Sequence, residues 1–164
     1  MVEMTVFGLA LDEESQMPIL ILKDKNDAYV LPIWIGAMEA MAISMGINNV
    51  KVPRPMTHDL ILDVIRQMGG ELLRIEILSI DKGTYYASLV VKMADKTIHI
   101  DSRPSDSIAL ALRCGVPILA DEIMLKKAIS QQKGEYQAVI EGEDAKKWTE
   151  MLSKYKLDDS KYTM

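Results

Sequence analysis

One cysteine, Cys114, stands among 164 residues, so no disulfide can form within the chain. A core without covalent cross-links suits a reducing compartment, and the expected location is the cytoplasm. The opening MVEMTVFGLALDEE lacks a basic stretch and carries an early Glu3, so it does not read as a signal peptide. Blocks of Lys and Arg are missing too, and the net charge is −5. Phosphate-backbone binding is mostly electrostatic, so this balance argues against tight nonspecific binding to duplex DNA while leaving room for a local basic site. The chain has no HExxH, no CxxC, no GxSxG, no Walker loop and no GxGxxG opening a helix after a strand. The commonest metal, redox, acyl-transfer and nucleotide motifs are thereby absent.

Long apolar runs are also scarce. Between Asp27 and Lys51 the only charged residue is Glu39, and Tyr29 to Ile47 has the length of a bilayer span. Pro32 and Gly36 interrupt the run, Asn48 and Asn49 end it, and Glu39 near its centre would cost about 3 kcal/mol in lipid. A buried strand leading into a buried helix is the better reading, with no membrane partner.

Strand patterns dominate what is present. Val2 to Asp12, Met17 to Leu22 and Tyr29 to Ile35 are apolar segments joined by short polar turns, as in an antiparallel meander. A helix is predicted after Gly36, ending at Asn48-Asn49. A second starts at Thr57 as N-cap, with Asp59 in its first turn and Leu60, Ile61, Val64, Ile65 and Met68 as its apolar face, and stops at Gly69-Gly70. Next come two strands, the first with Leu73, Ile75 and Ile77 on one face, joined by a hairpin turn at Asp81-Lys82-Gly83-Thr84. In Thr97 to Asp101, Ile98 and Ile100 are expected inward and His99 and Asp101 outward. A third helix is expected from Ser105 to about Arg113, closed by Gly115, and Asp121 is positioned to cap a fourth over Glu122 to Ile129. Beyond a linker at 131–134, an extended segment at Tyr136 to Glu141 and an amphipathic helix over Gly142 to Tyr155 are predicted. The class is α+β, a mostly antiparallel mixed sheet with packed helices, one domain over residues 1–130 and a helical tail over 131–164.

Two segments echo each other: Arg54-Pro55-Met56-Thr57-His58-Asp59 and Arg103-Pro104-Ser105-Asp106. Each places Arg-Pro before a hydroxyl residue and an acid in a first helical turn. Two ordinary helix starts would explain them. So would an anion site, because helix N-termini attract anions and a neighbouring Arg strengthens the attraction. Glu39, alone in an apolar helix, calls for a partner: an ion pair with Arg54 or Arg103, or service as metal ligand or general base. His58 suits either an inert surface position or acid–base work beside Asp59. His99 could join Asp101. Cys114 and methionines such as Met38, Met41, Met45 and Met68 read as packing.

Three segments in this order, Leu31-Pro32-Ile33-Trp34-Ile35-Gly36 leading to Glu39-Ala40, Arg54 to Leu60, and Asp101-Ser102-Arg103-Pro104-Ser105-Asp106-Ser107-Ile108-Ala109-Leu110, resemble the bifunctional nuclease domain family of bacteria and plants. The resemblance covers roughly residues 1–130. It implies an α+β domain that tends to form homodimers, and degradation of DNA and RNA. Together with the Arg, His and acid inventory it points to a phosphodiesterase. In that reading Glu39, Asp59 and Asp106 hold Mg²⁺ or Mn²⁺, which activates water. Arg54 and Arg103, with Thr57 and Ser105, hold the phosphate, and His58 is the general acid or base. Glu39 and Asp59 join His58 in the catalytic set. The rival reading is a non-catalytic, dimeric module that binds a small anion or a protein, its arginines merely tying helix starts together.

Overall fold

The computed structural model describes residues 1–12 and 15–131. The expected linker, extended segment and helix beyond residue 131 lie outside the described residues. Seven strands are present in that range: β1 (Val2–Leu11), β2 (Pro18–Asp24), β3 (Val30–Trp34), β4 (Gly70–Asp81), β5 (Thr84–Met93), β6 (Lys96–Ser102) and β7 (Ile118–Ala120). The helices are α1 (Ala37–Ile47), α2 (Thr57–Gln67), α3 (Pro104–Cys114) and α4 (Glu122–Gln131).

The strands form one open sheet in the order β3-β2-β1-β7-β4-β5-β6. Each neighbouring pair is antiparallel except β4 with β7, which is parallel. The class is therefore α+β, as expected. The short apolar run before Asp121 is the central strand β7, and it joins the β1–β3 meander to the β4–β6 meander. No helix of the described residues is long and apolar enough to cross a membrane.

Local signals account for most element ends. Gly36 is the N-cap of α1, and Asn48 is its C-cap. Lys82 and Gly83 both take positive φ between β4 and β5, the geometry a two-residue hairpin turn requires. Gly115 closes α3 in the left-handed conformation, its N–H donating to Ala111 O. Asp121 Oδ1 accepts the Met124 N–H at 2.9 Å and caps α4.

α1 is apolar around nearly its whole circumference because it is wrapped: it packs on β2 and on α3, which in turn covers β4 and β5. The α1–α3 contact is close at Gly46, where a Cβ would stand 3.0 Å from Leu112 Cβ. The main core draws Leu20, Leu22 and Leu31 from one meander, Ile75, Ile77 and Leu89 from the other, Ile43 from α1 and Ile108 and Leu110 from α3.

Five expectations are corrected. Thr57 is the first residue of α2 rather than its cap: Met56 is the N-cap, and Asp59 Oδ2 accepts the Met56 N–H at 3.0 Å. In β4 a bulge between Leu72 and Arg74 shifts the register, so Leu72 and Ile75 are buried while Leu73 is only partly covered. Of the expected apolar face of α2, Leu60, Ile61, Val64 and Met68 are exposed, and Leu62 is the helix's buried residue. Ile98 and Ile100 pair with Val91 and Leu89 and so share the core-lining side of β5, yet they stay 39% and 40% exposed because β6 is an edge strand. Met38 and Met68 are exposed as well, whereas Met45 is core and Cys114 packs against it with burial raising its thiol pKa.

The bulge makes a direct prediction. Ile75→Ala is expected to cost about 3 kcal/mol in urea unfolding, and Leu73→Ala less than about half of that. Equal costs would contradict the register described.

Candidate functional site

The two Arg-Pro segments meet. α2 and α3 pack side by side, and α1 lies against α3, so three helix starts converge. Glu39 comes from the first turn of α1, His58 from that of α2, and Arg103 and Asp106 from the N-cap and first turn of α3.

Arg103 is the hub. Its Nε donates to Asp106 Oδ2 at 2.7 Å and its Nη2 to Asp106 Oδ1 at 3.0 Å, a bidentate fork. Its Nη1 donates to Glu39 Oε1 at 2.9 Å. The lone carboxylate of α1 thus has the arginine partner it called for. These contacts raise the Arg103 pKa, the Asp106 hydrogen bond first and the Glu39 bond second. Burial alone would push the Asp106 carboxyl up; the bonds from Arg103 and His58 outweigh it and hold the carboxyl below its ordinary value. His58 Nε2 lies 3.3 Å from Asp106 Oδ1. The run His58–Asp106–Arg103–Glu39 is continuous.

Arg103 has about five N–H donors. Three are spent on carboxylates, which leaves two, and the side chain is 64% exposed. Arg54 is exposed in the loop before α2, and no hydrogen bond or ion pair engages it among the described residues. Thr57 is exposed at the start of α2, and Ser105 is buried in the first turn of α3 at 7% exposure.

Asp59 stands apart from the run. Its Oδ1 accepts Arg113 Nε at 3.0 Å while its Oδ2 caps α2, so both oxygens are in use. Glu39 and Asp106 meet at Arg103, and among the described residues no group of three His, Cys, Asp or Glu side chains is gathered to hold a metal ion. His99 lies elsewhere, its Nδ1 3.9 Å from Glu76 Oε2 rather than against Asp101.

The residue the sequence reading missed is Arg113. Only 10% of its side chain is exposed. Beyond Asp59, its Nη1 donates to Ala42 O at 3.0 Å and Ala109 O at 2.8 Å, fastening α1 and α2 to α3 beneath the exposed cluster. Nothing local marks it, because its position in a last helical turn is already explained by the helix dipole.

Comparison with known proteins agrees with the geometry. The model of the bifunctional nuclease domain matches residues 20–133, a stretch containing every residue of the run. An uncharacterized protein of Mycobacterium tuberculosis (strain ATCC 25618 / H37Rv) is 38% identical over 98% of this chain and 99% of its own length. Bifunctional nuclease 2 of Oryza sativa subsp. japonica is 32% identical over 68% of this chain and 35% of its own length. Bifunctional nuclease 1 of Arabidopsis thaliana is 26% identical over 71% of this chain and 37% of its own length. The chain spans about a third of these plant proteins.

Two outcomes follow from the geometry. Arg113→Leu strands the Asp59 carboxylate and is expected to destabilise the fold by about 2 kcal/mol; a cost near zero in urea denaturation would remove its structural role. Because the folded Asp106 pKa lies below its ordinary value of 3.8, its contribution to stability is present above that value and lost as pH falls below it. The stability gap between wild type and Asp106→Asn should therefore close below about pH 4, and a gap constant down to pH 2 would contradict the shift.

Proposed function

The chain belongs to the bifunctional nuclease domain family, and from that premise we propose that it hydrolyses phosphodiester bonds of DNA and RNA at the His58–Asp106–Arg103 run. The observation that carries the reading is the contact between the two Arg-Pro segments, which sets an imidazole, a carboxylate and a guanidinium with spare donors in one line.

In the mechanism, the two remaining donors of Arg103 and the exposed Arg54 take the non-bridging phosphate oxygens. Asp106 accepts a hydrogen bond from His58 Nε2–H, which fixes the tautomer and leaves Nδ1 as an acceptor. Nδ1 takes the proton of a water as its oxygen attacks phosphorus. The bond from phosphorus to the leaving sugar oxygen breaks, solvent water protonates that oxygen, and the His58 imidazolium releases its proton to solvent. Charge growing on the phosphoryl oxygens is stabilised by the guanidinium. Asp59, occupied on both oxygens, holds the start of α2 and with it His58.

The protein donors fit Mg²⁺ or Mn²⁺ only with help from the substrate. Glu39 would hold the ion together with phosphate oxygens, as one carboxylate commonly does for Mg²⁺, while Asp106 stays engaged by Arg103 and His58, and the ion would supply Lewis-acid stabilisation. A homodimer belongs to the same proposal. β6 is an open edge, and pairing it antiparallel with a second copy about His99 sets Ile98 against Ile100. The single half-buried cysteine supports a cytoplasmic setting.

A second reading, a non-catalytic module binding anions or protein, is favoured by one fact: the Arg103 charge is already met by Glu39 and Asp106. The test is hydrolysis of fluorescent DNA and RNA by wild type, His58→Ala and Arg103→Ala, each with Mg²⁺, Mn²⁺ or chelator. Each substitution is expected to lower kcat by about 10²-fold or more with the circular dichroism unchanged. Cleavage equal in all three proteins would sink the assignment, and no cleavage by wild type would favour the binding module.

A further inference from the structure

The exposed apolar stripe of α2 borders an open groove. It forms one wall of a groove of about 740 Å³, with Leu60, Val64 and Ile65 on that wall and Tyr85, Leu89 and Ile100 from the sheet opposite. Tyr86, also lining it, is 44% exposed. Arg103 and Asp106 line it too, as do Thr84, Asp101 and Ser102. The groove therefore shares two residues with the proposed phosphate site and sets apolar and aromatic surface beside them.

We propose that this groove takes an unpaired nucleobase of the strand whose phosphate sits on Arg103, so that the substrate is single-stranded nucleic acid. The inference deepens the nuclease reading and rests on its placement of the phosphate. A nucleotide has an anionic end and a flat apolar body, and the groove offers a guanidinium together with tyrosines and aliphatic side chains. Its volume lies within the usual range for pockets that hold small organic groups. Base faces are hidden by stacking and pairing in a duplex but free in a single strand, where stacking on aromatic side chains tolerates any sequence. The wall is mostly apolar, with Thr84, Asp101 and Ser102 as further polar groups on it, and stacking on such a wall does not depend on the sugar, in keeping with one site acting on both DNA and RNA. It also gives an acidic protein a way to bind nucleic acid without a basic stripe, because part of the affinity comes from stacking.

The test compares the full chain with Tyr86→Ala and Leu60→Ser, both at exposed positions. Substrates are a fluorescent single strand, the same strand in a duplex, and the strand with an abasic sugar next to the labelled phosphate. Hydrolysis and, in chelator at fixed salt, fluorescence anisotropy are both read. Wild type should favour the single strand over the other two by about tenfold, and each substitution should raise KM or Kd for the single strand by about tenfold with kcat little changed. If Arg103→Ala abolishes cleavage but duplex, abasic and single strands are handled alike and the groove variants match wild type, the groove inference is overturned while the nuclease reading stands. If wild type cleaves nothing, the nuclease reading falls; anisotropy then decides the groove, which survives on Tyr86-dependent binding of the single strand and is overturned by its absence.

Discussion

The bidentate fork from Arg103 to Asp106, with its third bond to Glu39, is the constraint on which the site depends. Asp106 can orient His58 only while the guanidinium holds it in place, and Glu39 finds its one ion-pair partner among the described residues in Arg103. An ion pair this exposed adds little to global stability. Its value is positional: it sets the first turns of α1 and α3 in register and turns a carboxylate toward the imidazole of α2. The deeper contacts do the holding. Arg113 is buried where Arg103 is exposed, and it bonds to all three helices below the cluster. Close passage of α1 over α3 at Gly46 brings Glu39 within reach. One helix thus carries both a structural arginine and an available one.

Much of this was legible in the sequence wherever the signal is local. Gly36, Gly115, Asp121 and the Lys82-Gly83 turn each demand a particular backbone or cap, and each appears where expected. The need of Glu39 for an arginine followed from the cost of an isolated charge in an apolar helix. Apart from the one-residue shift of the α2 cap from Thr57 to Met56, the misses are matters of tertiary context. Leu73 and Ile75 obey the alternation rule, but a bulge, which alternation does not announce, reassigns their faces. Leu60, Ile61 and Val64 have core spacing, yet they line an open groove between α2 and the sheet and stay exposed. Ile98 and Ile100 point the expected way from a strand that is an edge among the described residues. Arg113 owes its role to residues 54 and 71 positions away, Asp59 and Ala42, which a reading by local spacing does not connect.

These misses bear on function. Apolar residues that fail to reach the core line a groove beside the cluster, and the same helix sets His58 against Asp106. The rule that apolar faces turn inward breaks down next to the residues with the richest chemistry, as expected where a fold gives up packing to build a site. The acidic net charge is then less of an obstacle to nucleic-acid chemistry than it first seems, since cation and apolar surface are concentrated at one place.

The most direct measurement is the affinity of a non-hydrolysable single-stranded oligonucleotide for wild type and for Arg103→Lys, followed by anisotropy across a salt series. Lysine keeps the charge but cannot fork to Asp106 and still present two donors to a phosphate. The account predicts that binding weakens by about tenfold at every salt concentration while the fold is retained, because planar geometry rather than charge alone is lost. Unchanged affinity with the same salt slope would mean that Arg103 serves only the junction of helix starts, and the phosphate site would have to lie elsewhere.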